Sequence, residues 1–494
     1  MPNLYASLRT GFAPRMDAVF LRLGDDRVVT FAGIDDHSAR IATVLVNRGV
    51  VPGDRVVAQV PKSATAVALY LAALRVGAVY VPLNEAYTAD EVAYFLTDAE
   101  PTVVVFAPGR GLPAGFDAVL LTLDDAGEGT LADHARGAAP HLELADRGTE
   151  PVAMLYTSGT TGKPKGAMLT TENLASNARA LTDIWGFTSD DVLVHALPIF
   201  HVHGLFIALH CALLSGCEVR FLPRFDAEVV RNELRDATTM MGVPTFYSRL
   251  LANPEFTSAD CESIRLFISG SAPLTETVHH DFAKRTGHRI LERYGMTETG
   301  MITSNPLHGE RIAGTVGYPL PDVAVRVADD HGVPLAAGEV GTVEVLGPNV
   351  FAGYWGMPDK TAASFRDDGY FITGDLGSLS ADGRLTLSGR GTDLIISGGL
   401  NVYPKEIEMV LDDIAGVEES AVIGVVHPDL GDAVVAILVA DPAFDVREVA
   451  AALDGRLARF KHPKHVAVVS ELPRNAMGKV EKAALRRTYA DLFS

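Results

Sequence analysis

Apolar positions in the first part of the chain switch between two periods. Ile41, Val44 and Leu45 share one helical face that ends before Gly49, and Asp54 to Val60 then reads as a strand. A second helix starts at Ser63, turns Val67, Tyr70, Leu71 and Leu74 inward and stops at Gly77, ahead of a strand Ala78 to Val81. A third helix over about Ala89 to Thr97 precedes a buried strand, Thr102 to Phe106. This alternation predicts a parallel sheet with helices on its faces. Pro108 to Glu150 is rich in Gly, Ala and Asp, has little periodicity and is expected to be looser connecting structure. The pattern resumes with a strand Val152 to Tyr156, a helix Glu172 to Trp185 and a strand Val192 to Ala196. Met240 to Leu251, Leu266 to Pro273 and Ile290 to Glu298 form a second alternating set.

Between Gly314 and Val345 the period changes to short strands broken by Gly and Pro, which predicts a small barrel-like sheet. Beyond Asp393 a helix through Ile407 to Leu411, strands Ser420 to Val426 and Asp432 to Val439 and a helix Val446 to Leu457 predict a separate α+β unit. The expected class is α/β: a large region, 1–390, of two layered βαβ-type subdomains plus a small β-barrel, then a smaller α+β domain, 391–494. A chain of 494 residues suits about three folding units.

Hydrophobic content of 48% and charged content of 21% are those of an ordinary globular protein. A formal charge of −20 repels polyanions, so no nucleic-acid or acidic-membrane partner is expected, and any anionic ligand must be held by local donors. Cys211, Cys217 and Cys261 are dispersed and lack metal-ligand spacing, which disfavours disulfides and fits a reducing cytoplasm. The N-terminal segment lacks the apolar core of a signal peptide, and the most apolar run, Val67 to Leu74, stops at Arg75, too short for a membrane span.

Tyr156 to Gly166 reads Y-T-S-G-T-T-G-K-P-K-G directly after a strand. Glycine lets backbone N–H groups turn toward an anion, Thr157, Ser158, Thr160 and Thr161 add hydroxyls, and Lys163 and Lys165 add charge; these meet the needs of a polyphosphate. It is not a Walker A loop, because Pro164 follows Lys163 where Ser or Thr and a helix should begin. S-G-S-A-P at Ser269 to Pro273 sits at a strand's C-terminal end, where open α/β sheets bind ligands, and E-R-Y-G-M-T-E at Glu292 to Glu298 is expected to follow another strand. L-P-I-F-H-V-H-G at Leu197 to Gly204 holds two histidines without Cys, Asp or Glu companions, so a zinc site is not expected.

Together with G-Y-F-I-T-G-D at Gly369 to Asp375, G-R-G-T-D-L-I-I-S-G-G-L-N at Gly389 to Asn401 and P-R-N-A-M-G-K at Pro473 to Lys479, these segments resemble the signature motifs of the adenylate-forming superfamily, which includes acyl-coenzyme A synthetases, firefly luciferase and peptide-synthetase adenylation domains. The resemblance covers nearly the whole chain. It implies ATP, Mg²⁺ and coenzyme A as reactants and cofactor. The implied nucleotide contacts are Thr157, Ser158, Gly159, Thr160, Thr161, Lys165, Gly270, Ser271, Ala272, Tyr294, Gly295, Met296, Thr297, Asp375, Arg390 and Lys479, with Tyr294 on the base, Asp375 on the ribose hydroxyls and Arg390 as its partner. Glu298 and Thr160 are the implied magnesium residues. Lys479 and His201 are the implied catalytic residues, Lys479 neutralising charge as a carboxylate attacks the α-phosphate.

The same resemblance implies that a thiol then displaces AMP after the C-terminal domain rotates, with Gly398 and Gly399 along the pantetheine path and Lys461 and Lys464 near coenzyme A phosphates. The family hinge is usually Lys or Asp, and Thr392 stands there in this chain. Many members have glycine before the Tyr-Gly pair, where this chain has Glu292 and Arg293. A guanidinium there either binds a second carboxylate, with His201 and Ser271 as further donors, or makes a structural ion pair with Glu292 or another acid. The first reading is similar to members that activate malonate. Methylmalonate, another short acid, and an amino acid loaded onto a carrier by a stand-alone enzyme are the alternatives.

Overall fold

The computed structural model describes residues 3–24, 27–157, 164–397, 400–428, 430–442, 444–454, 456–475 and 478–493. The phosphate-cradle residues Ser158, Gly159, Thr160, Thr161 and Lys163, and the presumed pantetheine glycines Gly398 and Gly399, lie outside them.

The Ser63 hydroxyl caps the helix Ala64–Val76, accepting from the Ala66 amide at 3.2 Å, and Gly77 ends it at φ 70°. Every residue from Thr65 to Val76 is buried, as expected of a helix that is apolar all round. Its side chains belong to one cluster with Val56, Val103 and Val105 of one sheet and Leu193 and Val219 of another. Two sheets therefore share this core.

The first sheet has the order Gly353–Tyr354, Lys165–Thr170, Pro151–Thr157, Val79–Pro82, Arg55–Gln59, Val103–Phe106 and Val119–Thr122 among the described residues. Its last five strands run parallel, as the alternating pattern requires. The second runs Tyr318–Pro319, Gly300–Ser304, Leu291–Met296, Leu266–Ser269, Thr239–Gly242, Val192–His195, Glu218–Phe221, Val19–Leu23 and Val28–Thr30. The small barrel-like unit is a four-stranded antiparallel sheet, Ala324–Ala328, Gly341–Leu346, Phe371–Leu379 and Leu385–Arg390, packed on Tyr294. After Asp393 comes a separate sheet built on the long hairpin Val417–His427 and Gly431–Ala440, with His465–Val469 parallel to the latter.

Three expectations are corrected. Residues 108–150 are not merely connecting: Val119–Thr122 pairs in parallel with Val103–Phe106, and the helix Thr130–Gly137 buries Leu131, Ala132 and Ala135. A four-residue edge strand and a two-turn helix are too short to show a period. The E-R-Y-G-M-T-E segment does not follow a strand; most of it is the strand Leu291–Met296, which pairs in parallel through Glu292 with Ser269 and then antiparallel from Arg293 onward with Gly300–Ser304. The helix expected over Val446 to Leu457 is Arg447–Leu453, shorter because Asp454 turns to an extended backbone at ψ 127°.

Candidate active site

Three groups of side chains gather around Glu298, Asp375 and Arg293. The first begins at Thr157, the last residue of its strand, which pairs across the sheet with Lys165. Its hydroxyl lies 3.3 Å from Glu298 Oε1, and the Tyr354 hydroxyl donates to the same oxygen at 3.0 Å. Lys165 Nζ stands 5.4 Å from the Tyr354 ring centroid. Burial, and then Lys360, lower the Lys165 pKa, while Glu298 opposes them. A buried carboxylate and a buried ammonium thus flank the cradle. Tyr354 had no visible role in the sequence, since it lies far along the chain and owes its place to the edge strand Gly353–Tyr354 pairing with Lys165–Thr170.

The second group surrounds Asp375. The strand register sets it opposite Arg390, whose Nε lies 2.9 Å from Oδ1, and Tyr294 donates its hydroxyl to Oδ2 at 2.6 Å. The Thr373 hydroxyl accepts the Asp375 amide at 3.0 Å, and Gly374 between them has φ 75°, a bend suited to glycine. Asp375 raises the Arg390 pKa. Lys479 is brought here from the far end of the chain: burial and Arg390 lower its pKa, opposed by Asp375 and Asp393.

The lysine sits on a tight hairpin. The Asn475 amide donates to the Lys479 carbonyl at 2.9 Å, and the Lys479 amide donates to Asn475 Oδ1 at 3.0 Å. Arg474 ties the Gly478 carbonyl to Glu419. Gly478 has φ 74°, and a Cβ there would stand 3.1 Å from Thr245 Oγ1. Thr245 was missed in the sequence because it lies far from any motif, and Arg474 and Asn475, though inside the P-R-N-A-M-G-K segment, were given no role there because each acts on the hairpin that carries Lys479.

The third group is centred on Arg293, 3% exposed. Its guanidinium lies against Gly270, where a Cβ would stand 2.3 Å from Cζ. Ser271 next to it adopts φ 73°, a strained conformation for a residue with a side chain, of the kind stored at functional sites. Ser271 Oγ lies 3.2 Å from His203 Nδ1, and the His203 amide donates to His201 Nδ1 at 3.3 Å. Burial and then Arg293 push the His201 pKa down to about 4 and that of His203 well below its usual value, so both rings are neutral near pH 7. Arg293 Nε and Nη2 and His203 Nε2 have no hydrogen-bond partner among the described residues. Arg293 does not pair with Glu292. Neighbours in a strand face opposite sides, and Glu292 instead accepts the Leu274 amide at 3.2 Å. His201 was singled out in the sequence; the inner His203, bonded to Ser271, was not.

Of the other expected residues, Gly270, Ser271, Gly295, Met296 and Thr297 lie on or beside these groups, and Ala272 continues the Ser271 turn. Gly295 is packed so closely that a Cβ would stand 2.0 Å from the Gly300 carbonyl oxygen. On the C-terminal unit Lys461 is engaged by Glu406 and Lys464 is exposed.

Family models for an AMP-binding enzyme and for an AMP-binding enzyme C-terminal domain match residues 9–355 and 406–479. The chain is 39% identical over 372 residues to a malonate–CoA ligase of Arabidopsis thaliana; the alignment covers 69% of this chain and 61% of that protein, so the chain spans less than two thirds of that relative's length. Among solved structures, ATP-bound MatB from Rhodopseudomonas palustris is 50% identical with a TM-score of 0.97, covering 100% of this chain and 99% of that one. The apo form of that protein, at the same identity and coverage, has a TM-score of 0.86, so this chain adopts the arrangement of the ATP-bound form more closely. Two family models in tandem, the first covering the strands that hold Thr157, Arg293 and Tyr294 and the second ending on Lys479, leave one conclusion: the chain belongs to the AMP-binding enzyme family.

Proposed function

We propose that the chain is an ATP-dependent malonate–CoA ligase, working through a malonyl-adenylate. The observation that carries this reading is Arg293: a buried guanidinium with two nitrogens unpartnered among the described residues, beside two neutral histidines and the strained Ser271. A desolvated cation without its own anion is costly, and a second carboxylate on the acid supplies the missing partner. The similarity to a malonate–CoA ligase supports the same acid.

In the first half-reaction a carboxylate oxygen attacks the α-phosphorus of ATP, the bond to the β-phosphate oxygen breaks and pyrophosphate leaves. Attacker and target are both anions, so catalysis rests on charge neutralisation and in-line positioning. Lys479, Lys165 and Arg390 supply fixed positive charge, Thr157 and residues 158–163 hold the triphosphate, and Asp375 orients the ribose with Tyr294 beside the base. Magnesium takes oxygen ligands, and the buried Glu298 fits as one, with Thr160, outside the described residues, as the other residue expected to hold it. Bound there, it neutralises phosphate charge. In the second half-reaction the coenzyme A thiol, losing its proton, attacks the acyl carbon, the mixed-anhydride C–O bond breaks and AMP leaves.

We place the boundary between an adenylation domain and a mobile C-terminal domain at 390/391, within the gap between the matched segments. No helix among the described residues is long and apolar enough to cross a membrane. The three cysteines are free and buried, which fits the reducing cytoplasm that we propose as the location. A panel of carboxylic acids assayed with ATP and coenzyme A tests the substrate. Malonate should lead; an aromatic or fatty acid as best substrate would overturn the assignment.

A further inference from the structure

Lys62 follows the strand Arg55–Gln59 of the first sheet, is 8% exposed, and has no carboxylate partner among the described residues. Its Nζ donates to His195 Nδ1 at 2.8 Å and to the His195 carbonyl at 2.9 Å, with the Phe221 ring centroid 4.3 Å away. An aromatic face is a weak substitute for a counter-ion. His195 ends the strand Val192–His195 of the second sheet and is fully buried; its Nε2 lies 2.9 Å from the Gly204 carbonyl oxygen.

A neutral imidazole has one donor and one acceptor nitrogen, and an ammonium can only donate. The Gly204 carbonyl can only accept, so Nε2 carries the proton and Nδ1 is left to accept from Lys62, which can donate there even though burial pulls its pKa well below the usual value. The other tautomer would turn a lone pair toward the Gly204 carbonyl oxygen, a repulsive contact, and would take the acceptor away from Lys62. Burial and then Lys62 push the His195 pKa down to about 3, so the ring stays neutral near pH 7. Gly204 lies in the π-helical turn His203–Ala208, and a Cβ on it would stand 2.1 Å from the Pro198 carbonyl oxygen. The turn is thus pressed between His195 and Pro198; it presents His203 to Ser271, and the His203 amide at its start holds the ring of His201, which feels the Arg293 charge.

We propose that Lys62 is a positioning residue of the acid pocket: through the tautomer of His195 it holds the Gly204 carbonyl, and with it the histidine turn that completes the Arg293 site. This rests on the proposed acid-activating function, and it links the pocket in the second sheet to the sheet that carries the phosphate cradle. Lys62 touches neither substrate nor nucleotide in this scheme.

The test is steady-state kinetics on the full chain with the best acid that the parent activates, so that a wrong choice of malonate would show in the parent and not in the variants. Lys62→Met should raise KM for the acid by about tenfold, leave KM for ATP within about twofold and change kcat little, the signature of lost ground-state positioning. Lys62→Arg, which keeps the donors, should recover most of the loss. His195→Gln offers a fixed donor to Gly204 without a tautomer to set, so Lys62→Met should add little in that background. Parental KM for the acid in Lys62→Met overturns the proposal, as does a parallel rise in both KM values with a lower melting temperature, or an equal cost of Lys62→Met in the His195→Gln background. If Lys62→Met does not fold, Lys62→Gln and His195→Leu give the same comparison, His195→Leu being expected to match the loss and parental acid KM in it overturning the proposal.

Discussion

Glu292 and Arg293 are consecutive in one strand and have opposite fates. Arg293 faces the pocket, where burial pulls its pKa down to about 9, so its charge persists at neutral pH. Arg293→Ala should lower kcat/KM for malonate by about 2 to 5 kcal/mol, the range for removing one partner of a desolvated charge pair, and affect acetate much less. ATP affinity, measured alongside, should stay near the parental value. Equal losses with both acids would make Arg293 structural. Glu292, buried on the other side, has its carboxyl pushed up to about 7 by burial, with one oxygen bonded to Leu274 and the other without a partner among the described residues. The fold therefore prefers the protonated form. Stability from this group is fully present below the unfolded carboxyl pKa of about 4.5 and is lost as pH rises through 7. Glu292→Gln keeps the acceptor for Leu274 and removes the charge, so its melting temperature relative to the parent should climb from pH 4.5 to pH 8, checked by thermal unfolding across that range. A constant difference would mean that Glu292 does not titrate there.

Two irregular elements do much of the positioning. The π-helical turn after His201 crowds two histidines toward Arg293, and the hairpin Asn475 to Lys479 holds the lysine backbone by its own hydrogen bonds. The hairpin meets the large domain where Gly478 approaches Thr245, the second residue of the helix Pro244–Ala252. A larger residue at 245 would push the hairpin away without touching the thiol step. Thr245→Phe should slow pyrophosphate release by about 100-fold, as misplacement of a reacting group by an ångström can, yet spare thioester formation from supplied acyl-adenylate. Comparable loss in both half-reactions would show that position 245 supports the fold in general.

At the scale of the whole molecule, the proposed domain boundary falls at a short 3-10 turn, Gly391–Asp393, held at both ends. Arg390 pairs with Asp375 on the large domain, and Arg486 donates to Asp393 at 2.6 Å from the C-terminal helix Lys482–Thr488. Gly391 and Thr392 between these clamps are exposed. Limited proteolysis should cut there and release a stable C-terminal piece of about a hundred residues, an ordinary domain size. Arg486→Ala should hasten that cut. Mass spectrometry showing an intact chain through Asp393 in both proteins would misplace the boundary.

Local chemistry settled much of this without a structure. Ser63 and Gly77 bound their helix because a hydroxyl cap and a left-handed terminus depend on neighbouring residues alone. The parallel order of five strands of the first sheet followed from hydrophobic period, whereas the antiparallel pairing of the two strands at its edge did not. The pairing of Asp375 with Arg390, and the arrival of Lys479 beside them, were legible only through motif resemblance, since no local rule joins residues so far apart. Whether Arg293 met Glu292 or stood apart stayed open in the sequence and was decided by strand alternation together with the approach of Gly270. The roles of Tyr354, His203, Thr245 and Lys62 were invisible there. Each acts on a residue brought near by sheet order or domain packing, and its chemistry exists only at the distances that tertiary structure sets.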